Sequence, residues 1–388
     1  MAADPHKLVE LLKRSGRLNN PLYEEAFARV HRHLFLPEFA PDRVYIDEAI
    51  VTKLDKSGYA VSSSSQPSMM IQMFEQMGLA PGMNVLEIGT GSGYNAALMQ
   101  HIVSKAPGGR VTTVEIDNDL ARRAERALHR AGYASVLVVE DDGAAGYSPR
   151  AAYDRILVTA GLWDLSAAWV RQLKSNGVLV APVQVDGFQA SGAFRFDADG
   201  ALVSTQNLPC RFVYMRGIGA PPELTRRVGS SDMRLIGEAQ RQLDTARIHS
   251  LLSDDPQLES QLVEAILSDD FWSKFAPYAI LNPPADAVVT LYYIDESVRA
   301  YGMEGTGVAL FTPGSACFVP DDTMGRAYNF GGADAFLMVS ALVQQWREAG
   351  RPGVRQLNLR FVPAGSPPPE GVHVLPRVEH DLHAWFTP

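Results

Sequence analysis

Two cysteines, Cys210 and Cys317, are all that the 388 residues contain. They lie far apart and match no metal-ligand spacing, so they are read as buried free thiols, and no disulfide framework or structural zinc is expected. Positive charge is also scarce: the formal net charge is −9, and the aromatic residues are not interleaved with a basic run. That balance argues against a general nucleic-acid or anionic-membrane surface. No apolar run approaches the roughly 20 residues of a membrane span. The opening from Met1 to Glu10 is polar and shows no signal-peptide pattern. A soluble cytoplasmic protein is the expectation. With 46% hydrophobic and 20% charged residues the chain can bury a sizeable core, and its length suits two or three domains.

The stretch Asn84-Val85-Leu86-Glu87-Ile88-Gly89-Thr90-Gly91-Ser92-Gly93-Tyr94 carries the strongest local signal. An apolar β-type run meets a turn with glycine at alternate positions, and a helix over Asn95 to Val103 follows. Strand, glycine-rich turn and helix form the first unit of a Rossmann-like sheet. The spacing is G-x-G-x-G, not the G-x-G-x-x-G of dinucleotide enzymes, and no Lys-Ser/Thr closes the loop as in a P-loop. A nucleoside-like ligand without a pyrophosphate is therefore expected, and S-adenosyl-L-methionine is the obvious candidate. Gly89, Thr90, Gly91 and Ser92 are the residues that would cradle it.

The flanking pattern supports an α/β sheet. Val111 to Asp117 reads as the next strand, and Glu115 near its end is placed to accept hydrogen bonds from both ribose hydroxyls, with Ile116 beside it. Asn118 to Ala131 reads as a helix with Leu120, Ala124, Ala127, Leu128 and Ala131 inward. Val136 to Glu140 is a third strand, ending in Asp141-Asp142-Gly143. One of these acids is a candidate to hold an adenine amino group; an acid pair opening a plain turn is the competing reading. Tyr153 to Ala160 is a fourth strand, emerging at Thr159 on the side where ligands bind in open parallel sheets. A helix at Trp169 to Leu173, a turn at Asn176-Gly177 and a strand at Val178 to Val183 come next. Gly192 to Phe196 and Leu202 to Gln206 read as a hairpin, and Arg211 to Met215 as a last strand.

Upstream, Pro5 to Arg14 and Pro21 to His33 read as helices, His31 and His33 forming a solvated helix end. Tyr45 to Leu54 is a mixed extended or loop segment. The four serines Ser62 to Ser65 before Gln66-Pro67 are compositionally a turn or linker. A helix from Ser68 to Met77 follows at once, with Ser68 as a candidate N-cap. Ser63, Ser64 and Ser65 thus stand at a helix entrance where hydroxyls can line a ligand pocket.

Taken together, His33-Leu34-Phe35-Leu36-Pro37-Glu38, Ser65-Gln66-Pro67 with Met69, the glycine turn, Asp142-Gly143, Tyr153-Asp154, Thr159-Ala160, Leu173-Lys174, Gly177 and Pro182-Val183 resemble the protein-L-isoaspartate O-methyltransferase family over roughly Leu22 to Ile218. The resemblance implies a Rossmann-like methyltransferase fold, S-adenosyl-L-methionine as cofactor with S-adenosyl-L-homocysteine as product, and a peptide or protein acceptor bearing Asp or isoAsp. It places Ser65 at the active-site serine, and Glu87, Gly89, Gly91, Glu115, Asp142 and Gly143 on cofactor-binding positions. One departure is visible: Ser63-Ser64 stand where the family usually has Thr-Ile. The chemistry implied is in-line attack of a carboxylate oxygen on a sulfonium methyl. That nucleophile is ionised already, with a pKa of about 4, so no general base is needed; Ser65 would orient it. The resemblance further implies that the product ester closes to a succinimide without an enzyme.

Beyond Ala220-Pro221-Pro222 the chain continues to Pro388, so we expect a methyltransferase domain over residues 1–220 and an α+β accessory domain over 221–388. Helices are read at Leu224 to Leu252, Leu258 to Phe275 and Ala333 to Ala349. Strands are read at Val288 to Tyr293, Gly307 to Phe311, Cys317 to Val319 and Gln356 to Val362. His380 and His383 form a conceivable metal pair, but no ligand cluster completes it and no metal is expected. The full-length layout resembles long homologues that methylate an Asp in a constrained ribosomally made peptide, leading to aspartimide or isoaspartate, with the added domain gripping the peptide. General repair of isoaspartyl proteins is the rival, and a non-catalytic nucleoside-binding subunit is a third reading. Calorimetric titration with S-adenosyl-L-methionine separates the third from the others: binding is expected, and failure to bind would favour the scaffold role.

Overall fold

Nineteen strands make up three sheets in the computed structural model, which describes residues 5–254, 258–262, 266–322 and 324–387. A hairpin pairs β1 (Ile50–Leu54) with β2 (Ala60–Ser64). The central sheet begins with β3 (Asn84–Ile88), β4 (Arg110–Glu115), β5 (Leu137–Glu140), β6 (Tyr153–Val158) and β7 (Leu173–Val185). These five run parallel in the order β7-β6-β3-β4-β5. β3 is buried along its whole length, as a parallel strand covered on both faces must be. The order reverses at β3: β4 lies on one side and β6 on the other, which opens a crevice at their C-terminal ends. The helix Tyr94–Val103 is almost wholly buried, whereas Asn118–Arg130 turns Leu120, Ala121, Ala124, Ala127 and Leu128 inward.

Past β7 the sheet becomes antiparallel through β8 (Phe188–Phe196) and β9 (Leu202–Cys210). A second sheet of seven strands follows the order β10-β11-β13-β14-β15-β16-β12, built from β10 (Thr225–Arg227), β11 (Arg234–Ile236), β12 (Leu258–Gln261), β13 (Val288–Ile294), β14 (Gly305–Phe311), β15 (Ser315–Pro320) and β16 (Arg326–Gly331). After the helix Asp334–Glu348 the chain rejoins the first sheet. There β17 (Leu357–Pro363) pairs with β9, and β19 (His380–Phe386) and β18 (His373–Leu375) extend the edge. Residues 221–388, expected as one unit, are therefore shared between two sheets. One apolar core runs from Leu86, Ile156 and Phe194 through Phe271, Phe275 and Trp346 into Val289, Leu310 and Cys317.

The α/β architecture and the glycine unit match the sequence reading; several local assignments do not. Ser62, Ser63 and Ser64 belong to β2, opposite Lys53, Val51 and Ile50, and are not a linker. Ser68 is not the cap of the helix Pro67–Met77; Gln66 occupies that position, and the Asp47 carboxylate accepts from the Ser68 amide at 2.8 Å. Leu173 opens β7 instead of ending a helix, and Asn176-Gly177 lie within that strand. Arg211 to Met215 makes no ladder; Tyr214 forms one isolated bridge to Gly161. The long helix expected over Leu224 to Leu252 is interrupted by left-handed glycines, Gly229 at φ +56° and Gly237 at φ +128°. Only Thr245–Asp254 is α-helical there, after a short 3-10 turn at Ala239–Gln242. β12 likewise displaces the start of the helix expected at Leu258 to Phe275, because it finds β16 as a partner.

Phe361 on β17 is 1% exposed, and its ring centroid lies 5.4 Å from that of Phe194 on β8. Replacing Phe361 with Ala is expected to destabilise the protein by about 3–5 kcal/mol in urea unfolding. A loss below about 1 kcal/mol would show that the returning strand lies outside the cooperative core.

Candidate active site

The crevice above β3, β4 and β6 is a cleft of about 780 Å³, part of it open to solvent. It is lined by Ser62, Ser63, Ser64, Ser65, Glu87, Gly89, Thr90, Gly91, Ser92, Glu115, Ile116, Gly143 and Thr159. Of the cofactor and acceptor residues expected from sequence, Asp142 and its alternative Asp141 are absent from its walls. Asn95, Tyr214, Met215 and Arg216 are present though sequence reasoning did not mark them.

The glycine turn needs its glycines. Gly89 has φ +95°, and a Cβ there would sit 2.7 Å from the Thr159 hydroxyl oxygen. That hydroxyl instead donates to the Gly89 carbonyl at 2.7 Å, tying the end of β6 to the turn. Gly91 has φ +53°; a Cβ would come within 3.5 Å of the Ser63 carbonyl oxygen and narrow the gap between the turn and the serine strand. Its amide donates to Glu115 Oε2 at 2.9 Å. Glu115 Oε1 accepts from the Asp117 amide at 3.1 Å, with Arg216 Nη2 3.7 Å away. Each carboxylate oxygen has two lone pairs, so Glu115 retains capacity for a diol.

Glu87 lies under the turn, fully buried. Thr113 Oγ1 donates to one of its oxygens at 2.6 Å and Asn95 Nδ2 to the other at 2.7 Å. While Glu87 is ionised the Thr113 proton is committed to it, and Thr90, 2.7 Å from Thr113, is then the donor in that pair. A chain of hydrogen bonds therefore runs from the turn into the buried acid. Burial, opposed by these two donors, raises the Glu87 pKa from 4.5 to about 7.

The serine strand alternates. Ser62 and Ser64 are buried; their hydroxyls accept from Thr52 at 2.9 Å and from Arg32 Nη2 at 3.2 Å. Ser63 and Ser65 are half-buried, and among the described residues their hydroxyls have no hydrogen-bond partner. Asp142 caps a short turn: Oδ1 accepts from the Ala144 amide at 2.9 Å and Oδ2 from the Ile218 amide at 2.8 Å. Its neighbour Gly143 meets the cleft, and the Gly143 carbonyl is fixed by the buried Trp169 indole at 2.8 Å. Asp142 thus forms the turn, and, like Glu115, each of its oxygens keeps a second lone pair; Asp141 is exposed.

Arg32 is the residue that sequence reading passed over, since it lies between two histidines that looked like a solvated helix end. His31 is indeed exposed and His33 meets the Tyr45 hydroxyl at 2.8 Å, but Arg32 is completely buried beneath the serine strand. At the far edge, His380 Nδ1 donates to the Leu165 carbonyl, and among the described residues no three His, Cys, Asp or Glu side chains form a metal cluster. Cys210 and Cys317 are both free, and burial pushes both thiols up. No helix among the described residues is long and apolar enough to cross a membrane.

A carboxylate at a strand end, a backbone bare of side chains at Gly91 and a wall of hydroxyls fit a nucleoside bearing a charged tail. The family model for protein-L-isoaspartate(D-aspartate) O-methyltransferase matches residues 3–218. A protein-L-isoaspartate O-methyltransferase of Methanopyrus kandleri is 39% identical over 212 residues, 54% of this chain and 90% of that protein. A second, from Archaeoglobus fulgidus, is 37% identical over 211 residues, covering 54% and 92%. A solved structure of a protein-L-isoaspartate O-methyltransferase aligns over 92% of this chain and 96% of its own, at 27% identity and a TM-score of 0.52.

The raised Glu87 pKa sets a pH dependence. Between about 4.5 and about 7 the folded state keeps a proton that the unfolded chain has released, so this group's contribution to stability is full below that window and is lost as pH rises through it. Urea titrations of the wild type should show that decline, and Glu87→Gln should flatten it; an unchanged slope in the variant would assign the titration elsewhere.

Proposed function

The chain belongs to the protein-L-isoaspartate(D-aspartate) O-methyltransferase family, and from that premise we propose that it methylates the free carboxylate of isoaspartyl residues in peptides or proteins. The cofactor is S-adenosyl-L-methionine, which when bound supplies an activated methyl group. The observation that carries the acceptor assignment is the unpartnered Ser65 hydroxyl on the cleft wall, with Gly91 and Glu115 lining the same space. Glu115 holds the ribose hydroxyls, and the amides and hydroxyls of Gly89 to Ser92 line the rest of the cofactor. Ser65 donates a hydrogen bond to the acceptor carboxylate and aims one of its oxygens. No proton need be removed from that nucleophile, because a carboxyl with a pKa of about 4 is ionised at neutral pH. The protein's contribution is placement and exclusion of water, which can supply about 7–11 kcal/mol.

A second reading concerns the acceptor: an Asp within a constrained, ribosomally made peptide, methylated toward aspartimide. Ser63-Ser64 in place of Thr-Ile and the second sheet favour it. Against it, a solved structure bearing the plain family name aligns along nearly the whole chain, so length alone does not mark a tailoring enzyme. Short linear isoaspartyl peptides decide. Turnover with them is expected; cofactor binding without turnover, together with methylation of Asp in a cyclised peptide, would move the assignment to tailoring. In either assay Ser65→Ala should lower kcat by about 10- to 100-fold, the loss of one hydrogen bond to a charged group. Methyl transfer at the wild-type rate would remove Ser65 from the mechanism.

A further inference from the structure

We propose that Arg32 is a positioning residue for methyl transfer, acting through the backbone of Ser65; this rests on the reading of Ser65 above. Its guanidinium is completely buried, and among the described residues no carboxylate forms an ion pair with it. Backbone carbonyls and the Ser64 hydroxyl take its Nη protons instead, while the buried Nε has no partner among the described residues. Nη1 donates to Val44 at 2.9 Å and to Ile46 at 3.2 Å, and Nη2 reaches the Ser65 carbonyl at 3.0 Å. The group also lies over the ring of Tyr94, 5.8 Å from its centroid, and Tyr94 is the first residue of the helix that follows the glycine turn. One rigid fork therefore fixes the serine strand to the segment at 44–46 and to the element that carries the cofactor turn.

The grip on Ser65 is double-sided. The loop that Arg32 organises continues to Asp47, whose carbonyl accepts from Gln66 Nε2 at 3.0 Å and whose carboxylate accepts from the Ser68 amide. Ser65 is thus held at its own carbonyl by Arg32, and just beyond by a segment that Arg32 also holds. A buried charge with no described carboxylate in direct contact, Asp47 acting on it only at a distance, is an expensive way to gain stability. What it supplies is a fixed position: five N–H donors in one plane, a pattern that the flexible lysine ammonium cannot reproduce. Misplacing a reacting group by about 1 Å can lower a rate about 100-fold. Arg32 touches neither cofactor nor acceptor, so its effect should appear in kcat and not in cofactor affinity.

The test is a double-substitution cycle on the full chain with S-adenosyl-L-methionine and an isoaspartyl peptide, at a temperature where unfolding curves show each variant folded. Arg32→Lys should leave the calorimetric Kd for the cofactor within about twofold and lower kcat by about 10- to 100-fold with little change in KM. Arg32→Lys combined with Ser65→Ala should be no slower than Ser65→Ala alone, because both disable the same hydroxyl. Wild-type kcat in Arg32→Lys, or losses that multiply in the double variant, would overturn the proposal. So would the absence of any folded state for both Arg32→Lys and Arg32→Gln in stabilising osmolyte, which would make the residue purely structural. Full activity of Ser65→Ala has a different signature: it removes the reading of Ser65, and this proposal with it.

Discussion

A buried guanidinium bonded to carbonyl oxygens ties the serine strand, one wall of the cleft, to the rest of the molecule. Arg32 gathers three stretches that are distant in sequence: the end of β2, the loop at 44–48 and the helix beginning at Tyr94. Burial lowers its pKa without neutralising it, since an arginine remains charged far above neutrality. The Val44 carbonyl it satisfies is buried, and leaving such an acceptor without a donor costs about 1–3 kcal/mol. The arrangement is therefore hard to deform, and the wall that presents Ser63 and Ser65 inherits that stiffness.

On the cofactor side the corresponding element is an acid. Glu87 is sealed under the glycine turn and bound by Thr113 and Asn95, and Thr90 passes the network up to the turn itself. Glu115, one strand over, is different: its oxygens meet the Gly91 and Asp117 amides at the edge of the cleft, where a diol can also reach them. Two glutamates at neighbouring strand ends thus differ in setting, one braced beneath the turn and one at the edge of the cleft. The rim adds positive charge to an otherwise acidic chain. Lys53 and Arg216 both pair with Asp117, and Arg216 lines the cleft that a carboxylate acceptor must enter.

The part of this that could be read from sequence is the part built by short-range chemistry. Three alternate glycines after an apolar run mark a turn, a strand-end carboxylate follows at a short distance, and Ser65-Gln66-Pro67 announces a helix start. Ser62 to Ser64 show where such reasoning ends. Serine-rich composition suggests a linker, yet Thr52, Arg32 and the register with β1 make those residues a strand. Arg32 was invisible for the same reason, because its partners lie from 12 to 33 residues away. Asp142 was legible as a turn residue, but its bond to the amide of Ile218, far along the chain, was not. The helices expected at Leu224 and Leu258 gave way to strands once glycine conformations and β16 entered the balance.

The return of β17 to β9 changes what the second half of the chain is. Asn207 on β9 donates to the Leu357 carbonyl at 2.6 Å, and Ser204 accepts from the Leu359 amide at 2.9 Å, so the stretch between Cys210 and Leu357 leaves the methyltransferase sheet and comes back to its own margin. It is a parenthesis in the chain and not a suffix. Cutting the polypeptide at the proline pair near residue 221 would strip β9 of its neighbour and leave a naked apolar margin of the kind that recruits foreign strands. Splicing out the intervening stretch while retaining the chain from Leu357 onward respects the architecture. The accessory sheet is thus anchored at both ends to the catalytic one, and the two cannot drift apart as beads on a tether would.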